Sequence, residues 1–154
     1  MKGLEEVTLA DITWNKEIVK DLEDYMSMVF VDIPDILFWG NRGCGKSYLA
    51  RALLNTLKNR GYSTDYIFEP LSPDLLIGDS LSNILANRIS GLPKPAFVLL
   101  DEFSGIVKKE DYDFNIGGAR YRDVRLILVS TSLITLKNSD KTYYKSYKLK
   151  DVTK

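Results

Sequence analysis

The sequence contains no histidine and a single cysteine, Cys44. Without histidine the chain has no imidazole for acid–base catalysis, and it lacks a ligand on which most zinc sites depend. One cysteine cannot form a disulfide within the chain, so we expect a reducing compartment: the cytoplasm, or the host cytoplasm if the source is viral. No run approaches the roughly 18 apolar residues of a membrane-spanning helix, so we expect no membrane partner.

Charge of neither sign is in excess, since the chain has 21 basic and 21 acidic side chains. The charges are nevertheless unevenly distributed: residues 1–35 carry three lysines against nine acids, and residues 137–154 carry six lysines against two acids. An acidic head and a basic tail could guide association between copies, and the lysine- and tyrosine-rich tail could contact single-stranded nucleic acid. Two solvated ends and an ordinary edge strand would have the same composition.

Apolar runs alternate with helical patterns along the chain. Strands that are apolar on both faces and alternate with helices predict a parallel sheet covered on both sides. We therefore expect an α/β fold of three layers around a central, mostly parallel five-stranded sheet. The predicted strands are residues 35–39, 64–69, 96–100, 125–131 and 143–149, and the predicted helices are 14–30, 47–60 and 79–90.

Residues 40–47, which we call the phosphate loop, fit the pattern G-x-x-x-x-G-K-[ST] without a mismatch. Glycines let backbone N–H groups approach a polyphosphate, Lys46 supplies charge to the terminal phosphates, and the Ser47 hydroxyl can ligate Mg²⁺. A predicted helix follows the loop, and its N-terminus favours an anion. The pattern thus predicts binding of ATP with Mg²⁺ by Gly40, Asn41, Arg42, Gly43, Cys44, Gly45, Lys46, Ser47 and Tyr48.

Two acids, Asp101 and Glu102, follow directly on the most apolar predicted strand. The strand would deliver them to the carboxyl edge of the sheet beside the phosphate loop, where Asp101 can hold Mg²⁺ together with Ser47. Glu102 would then orient or deprotonate the water that attacks the γ-phosphate. Ser130 and Thr131 end the next predicted strand, where a polar side chain could hold the same water. A strand that ends in solvated acids is the alternative.

Together these residues resemble the AAA+ ATPases, a P-loop NTPase family with a RecA-like core, and most closely their clamp-loader and helicase-loader branches. Residues 7–19 are similar to the family's opening T-L-x-D-I … N-x-E-I-V, residues 36–47 to its Walker A segment and residues 99–103 to its Walker B segment. Residues 125–131 resemble the sensor 1 strand, with Thr131 where Asn is usual. The resemblance implies that Lys46 binds phosphate, that Ser47 and Asp101 hold Mg²⁺, and that Glu102 activates water.

The resemblance also implies an oligomer in which an arginine of one subunit completes the site of its neighbour. The Ser-Arg-Cys motif of clamp loaders is missing, because residues 138–144 contain no arginine. Residues 120–122 (Arg-Tyr-Arg) instead resemble the arginine region of helicase loaders, so Arg120 is the candidate finger. Arg122 and Arg125 lie in the same basic stretch, for which a solvated turn is the alternative.

These observations predict one P-loop NTPase domain over residues 1–154, with a helical lead-in over 1–34, a nucleotide-binding core over 35–150 and no helical lid domain. We expect an ATPase of DNA replication that works in a homo- or hetero-oligomer of AAA+ subunits with DNA and replication proteins. One alternative is a DNA-translocating or genome-packaging ATPase of the FtsK/HerA type, since residues 118–129 also resemble that group. A regulatory ATP-binding subunit with little hydrolysis is another. A nucleotide kinase is a third, against which Glu102 argues.

Overall fold

The computed structural model describes residues 2–41, 43–67, 91–101, 123–130 and 144–150. Within these ranges the chain forms helices α1 (Lys16–Met26) and α2 (Lys46–Asn59) and strands β1 (Asp35–Trp39), β2 (Ser63–Ile67), β3 (Ala96–Leu100), β4 (Val124–Ser130) and β5 (Tyr144–Lys148). Short 3-10 helices occur at Leu9–Asp11 and Phe30–Asp32. The helix predicted over 79–90 lies outside the described residues. In the part of the chain that the structure covers, neither α-helix is long and apolar enough to cross a membrane.

The five strands form one sheet in the order β2-β3-β4-β1-β5, and every described pair is parallel. The predicted α/β fold with a five-stranded parallel sheet is therefore confirmed. The order itself was not predicted. It places β4 between β1 and β3, so that Leu99 of β3 lies opposite Ile127 of β4 and Leu37 of β1 opposite Leu128.

Both faces of the sheet are buried, as three layers require. On one face, side chains of β1, β3, β4 and β5 form a core with α1 and α2. The buried strand residues of this core are Ile36, Phe38, Phe97, Leu99, Ile127, Val129 and Tyr147. The alternating residues Leu37, Val98, Leu100, Leu126 and Leu128 point the other way and are also buried. Burial on both faces explains why these strands are continuous apolar runs.

Helix α1 is shorter than predicted at both ends. Its N-cap is Asn15, which is in the left-handed conformation (φ 51°), so the helix begins at Lys16 and not at the predicted residue 14. Asn tolerates this conformation better than most residues, and the turn releases Trp14 to stack on Tyr48. After Ser27 the chain turns into the second 3-10 helix, where Phe30 packs edge-on against Phe97. The predicted continuation of α1 to residue 30 is therefore wrong.

The N-terminal segment lies along α2 and is attached to it by side-chain hydrogen bonds. The Leu9 N–H donates to Thr56 Oγ1 at 3.0 Å, and Asn55 Nδ2 donates to the carbonyls of Leu4 and Val7 at 2.9 Å each. These contacts hold residues 4–9 against the helix that follows the phosphate loop.

Asp35 and Arg125 are buried polar residues near the start of β1 and β4. They lie at the end of these strands that is farther from the phosphate loop. The Asp35 carboxylate accepts a hydrogen bond of 2.7 Å from the Leu126 N–H. The Arg125 guanidinium donates to the carbonyls of Val31 and Ile33 and lies over the Phe30 ring. Burial raises the pKa of Asp35 to about 7, although the Leu126 hydrogen bond and the Arg125 charge act in the opposite direction.

Replacing Asp35 by Asn should change the pH dependence of stability. The folded chain retains a proton on Asp35 that the unfolded chain loses near pH 4, so this group's contribution to stability falls as pH rises from about 4 to about 7. Asp35→Asn keeps the acceptor for Leu126 without the charge. We expect the variant to be more stable than the parent at pH 8, by at most about 4 kcal/mol at roughly 1.4 kcal/mol per pKa unit.

Urea unfolding of parent and variant at pH 5 and pH 8 measures the difference, and the exposed Asp32→Asn is the matched control. The gain should be larger at pH 8 than at pH 5. An equal gain at both pH values would contradict the expectation.

Candidate functional site

The phosphate loop connects β1 to α2 and requires glycine at two positions for conformational reasons. Gly43 and Gly45 have φ values of +83° and +86°, in the left-handed region that other residues rarely adopt. A Cβ at Gly43 would meet nothing within 4 Å, so backbone conformation is what demands glycine there. The loop thus folds as its sequence pattern predicts.

The N-terminus of α2 faces this loop and is not capped by a side chain. Gly45 is the N-cap residue, and the first turn contains no acidic residue. The first N–H groups of a helix have no partner within the helix and carry a partial positive charge. This end of α2 is therefore suited to an anion such as phosphate.

Lys46 carries a buried charge inside the loop; the residue is 7% exposed. Its Nζ donates to the carbonyls of Gly40 and Asn41, both at 2.9 Å, and lies 3.9 Å from the Cys44 sulfur. An ammonium group has three donors. The two carbonyls hold the charge at the centre of the loop.

Cys44 points into the core instead of toward a ligand. The residue is completely buried in the hydrophobic core, and its N–H donates to the Asn41 carbonyl at 3.3 Å. Cys44 was predicted to bind nucleotide, and the contacts described for it are with the hydrophobic core and the Asn41 carbonyl.

Ser47 and Asp101, the two residues predicted to share a metal ion, are in direct contact. Ser47 Oγ donates to Asp101 Oδ1 at 2.9 Å, although 54 residues separate them in the chain. Asp101 is 5% exposed. Strand β4 lies between β1 and β3 in the sheet, and its last residue, Ser130, is buried and lies opposite Trp39 of β1.

The described ranges do not include Arg42, Glu102, Arg120 and Thr131. Their predicted roles in binding and catalysis remain predictions from the sequence.

Tyr66 is a member of this cluster that the sequence did not indicate. Its hydroxyl donates to Asp101 Oδ2 at 2.9 Å, and the guanidinium carbon of Arg51 lies 4.0 Å from the centre of its ring. Burial, followed by the charge and hydrogen bond of Asp101, raises the pKa of Tyr66 to about 12. The hydroxyl therefore keeps its proton and remains a donor near neutral pH.

The Tyr48 side chain anchors the N-terminal segment. Its ring stacks on Trp14 with centroids 5.6 Å apart, and its hydroxyl donates to the Lys2 carbonyl at 2.9 Å. Tyr48 was predicted as a nucleotide-binding residue. The contacts described for its side chain are with Trp14 and the Lys2 carbonyl. Its main chain lies in the first turn of α2, next to the phosphate loop.

Arg125 is not placed to act as an arginine finger. It is the second residue of β4, whereas Ser130, at the other end of the strand, lies opposite Trp39, the residue before the phosphate loop. Its guanidinium is buried and bonded to the backbone carbonyls of Val31, Ile33 and Val124. A buried group bonded in this way cannot reach a neighbouring subunit. Arg125 is therefore excluded as a candidate arginine finger.

The donor atoms at the site fit Mg²⁺. A hydroxyl and a carboxylate are hard oxygen ligands, and Mg²⁺ is usually held by one or two protein oxygens together with phosphates and water. Among the described residues no three His, Cys, Asp or Glu side chains cluster to form a metal cage. Ser47 and Asp101 would thus hold Mg²⁺ together with phosphate oxygens of a nucleotide and water.

A protein-family model matches the sequence over most of the site and sheet described above. The model for the ATPase family associated with various cellular activities (AAA) matches residues 36–135, about two thirds of the chain. The chain belongs to the AAA family of ATPases. The match runs from β1 through the phosphate loop and Asp101 to beyond β4, and it confirms the resemblance inferred from the sequence.

Solved structures show the same fold as this AAA chain. The crystal structure of DnaI has a TM-score of 0.64 at 17% identity, covering 84% of this chain and 74% of DnaI. A DNA replication initiation factor has a TM-score of 0.55 at 19% identity, and the replication initiator DnaA bound to AMPPCP and single-stranded DNA has 0.54 at 19%.

The last two comparisons each cover 82% of the AAA chain. They cover only 42% of the replication initiation factor and 42% of DnaA, so the AAA chain spans less than half of either protein chain. No curated protein sequence matches the chain. At such identities the structural similarity shows the fold, and it confirms the predicted P-loop NTPase architecture.

Substituting Gly40 should destabilise the AAA chain by packing and backbone strain together. A Cβ there would lie 3.0 Å from the Leu149 carbonyl oxygen and 3.1 Å from the Cys44 sulfur, at a φ of +150°. We expect Gly40→Ala to lower the free energy of unfolding by about 1–3 kcal/mol, as overpacked core sites do. Urea unfolding measures the loss. Gly3→Ala is the control, since its Cβ would meet nothing within 4 Å, and equal effects of the two substitutions would disprove the packing account.

Proposed function

We propose that the chain binds ATP with Mg²⁺ at the phosphate loop and hydrolyses it. The observation that supports this most directly is the contact between the Ser47 hydroxyl and the Asp101 carboxylate beside the buried Lys46 ammonium. Phosphate oxygens would bind to N–H groups at the start of α2 and to Lys46, which offsets their negative charge. Mg²⁺, held by Ser47 and Asp101, would supply further positive charge to the phosphates.

Hydrolysis on this proposal depends on residues inferred from the sequence. Glu102 follows Asp101 directly, so its carboxylate would accept the proton of the attacking water. Thr131 follows the buried Ser130 and would contact the γ-phosphate or the water. Arg120 of a neighbouring subunit would stabilise the charge that develops on the transferred phosphoryl group.

For the biological role we propose DNA replication, in an AAA+ subunit of the helicase-loader or clamp-loader kind. The similarity to structures described as a replication initiation factor and a replication initiator supports this setting. That initiator structure contains AMPPCP and single-stranded DNA. Partner AAA+ subunits, DNA and replication proteins, met in the cytoplasm, follow from the same proposal.

A second candidate is an ATP-binding subunit that hydrolyses little on its own. The burial of Arg125 favours this second candidate. Three arginines of the stretch could complete a neighbour's site, and a buried Arg125 is no longer one of them. Measuring ATP turnover with and without DNA separates the two candidates.

Removing the loop ammonium should weaken nucleotide binding. Lys46→Ala deletes a charge-assisted hydrogen-bond donor, which contributes about 1.5–3 kcal/mol. We expect the affinity for a fluorescent ATP analogue with Mg²⁺ to fall about 10- to 100-fold in an equilibrium titration. Lys58→Ala removes an exposed lysine from the last turn of α2 and should leave the affinity unchanged. Unchanged binding by Lys46→Ala would refute the assignment of the loop.

Substituting the proposed base should separate hydrolysis from binding. Glu102→Gln keeps the shape of the side chain but cannot accept a proton, so we expect ATP turnover to fall about 10²- to 10⁴-fold while analogue binding is retained. Glu23→Gln, on the exposed face of α1, is the control. Turnover that survives undiminished in Glu102→Gln would exclude Glu102 as the base, and a parent without turnover would favour the binding-only subunit.

A further inference from the structure

The Asp101 carboxylate is held on both of its oxygens. Ser47 Oγ donates to Oδ1 and the Tyr66 hydroxyl donates to Oδ2, each at 2.9 Å. Two hydroxyls that donate to different oxygens restrict the rotation of the carboxylate plane, and they thereby fix the direction in which the carboxylate faces.

The sheet register brings Tyr66 to this position. Tyr66 of β2 lies opposite Leu99 of β3, and side chains two residues apart on a strand share a face. Asp101 follows Leu99 by two positions, so the tyrosine and the carboxylate lie on the same face. This is the face against which α2 packs, so Ser47 approaches the carboxylate from the helix while Tyr66 approaches it from the neighbouring strand.

Arg51 fixes the Tyr66 ring from the helix side. It lies one helical turn after Ser47, and its guanidinium carbon is 4.0 Å from the ring centroid, within the range of a cation–π contact. Its Nε is buried and has no hydrogen-bond partner among the described residues. A buried donor without a partner is unfavourable, so hydrogen bonding at Nε does not explain where Arg51 lies. The contact described for its guanidinium is the one with the tyrosine ring.

We propose that Tyr66, held by Arg51, is a positioning residue that orients the Asp101 carboxylate for Mg²⁺ and thereby sets the Mg²⁺ requirement of nucleotide binding. The inference rests on the proposed function, since it concerns the same site. It extends that function to two residues outside the loop and acid motifs. A purely structural tyrosine, which only satisfies a buried carboxylate, would affect stability and leave the Mg²⁺ requirement unchanged.

The test is a Mg²⁺ titration of Tyr66→Phe at a fixed concentration of a fluorescent ATP analogue. We expect the half-saturating Mg²⁺ concentration to rise about 10-fold, the lower end of the effect of losing a partner that orients a metal ligand. Binding of the analogue in EDTA should not change, because the loop that contacts the phosphates is intact. Thermal unfolding of the same variant records any effect on stability separately.

Two variants accompany it. Tyr62→Phe is the matched control: it removes a hydroxyl just before β2, where the ring packs on Phe30 and Phe97, and should leave the Mg²⁺ titration unchanged. Arg51→Lys keeps the charge but loses the planar group that stacks on the ring. It should raise the half-saturating Mg²⁺ concentration about 2- to 5-fold, as a cation–π contact of roughly 0.5–1 kcal/mol implies. This variant tests the inference independently if Tyr66→Phe folds poorly.

Asp101→Asn distinguishes failure of the inference from failure of the proposed function. If Asp101→Asn leaves the Mg²⁺ titration unchanged, the proposed metal site is wrong, and the inference falls with it. If Asp101→Asn raises the Mg²⁺ requirement but Tyr66→Phe and Arg51→Lys behave like the parent, the inference is overturned and the proposed function stands. A lower melting temperature of Tyr66→Phe with an unchanged titration likewise overturns it.

Discussion

The site depends on one hydrogen bond, from the Ser47 hydroxyl to the Asp101 carboxylate. It joins the first turn of α2 to the end of β3 across the intervening strand β4. A carboxylate as buried as Asp101 requires donors, and the start of α2 and β2 each supply one. The same bond relates the phosphate loop to the carboxyl edge of the sheet. The position of the loop charge relative to the acid therefore follows from how α2 packs on the sheet.

Features encoded over a few consecutive residues were predictable from the sequence. Strands β1 and β3 have the predicted bounds, because each is an apolar run buried on both faces between polar or proline-rich neighbours. The phosphate loop was predictable because its glycines meet a local conformational demand at Gly43 and Gly45. The parallel five-stranded sheet followed from the alternation of such strands with helices.

Features that depend on contacts between distant segments were not predictable. The position of β4 between β1 and β3 and the hydroxyl of Tyr66 on Asp101 leave no local pattern, since Tyr66 resembles any aromatic residue of a strand. Helix α1 was predicted to extend to residue 30 because the apolar periodicity continues past Met26. In the structure Phe30 belongs to a separate 3-10 helix, from which it packs on Phe97. Arg125 lies in a basic stretch of the sequence that contains two further arginines, and nothing in that stretch indicated that its side chain is buried.

The carbonyl groups around Lys46 bear on which ligands the loop selects. Because the ammonium already donates to Gly40 and Asn41, an incoming anion exchanges dipolar partners for ionic ones and gains only the difference between them. A weakly charged ligand gains little from that exchange. A polyanion, whose several oxygens would engage the ammonium and the helix N-terminus together, would gain more. On the proposed function, the loop would therefore discriminate between ligands by their number of phosphates, independently of any contact with a base or sugar.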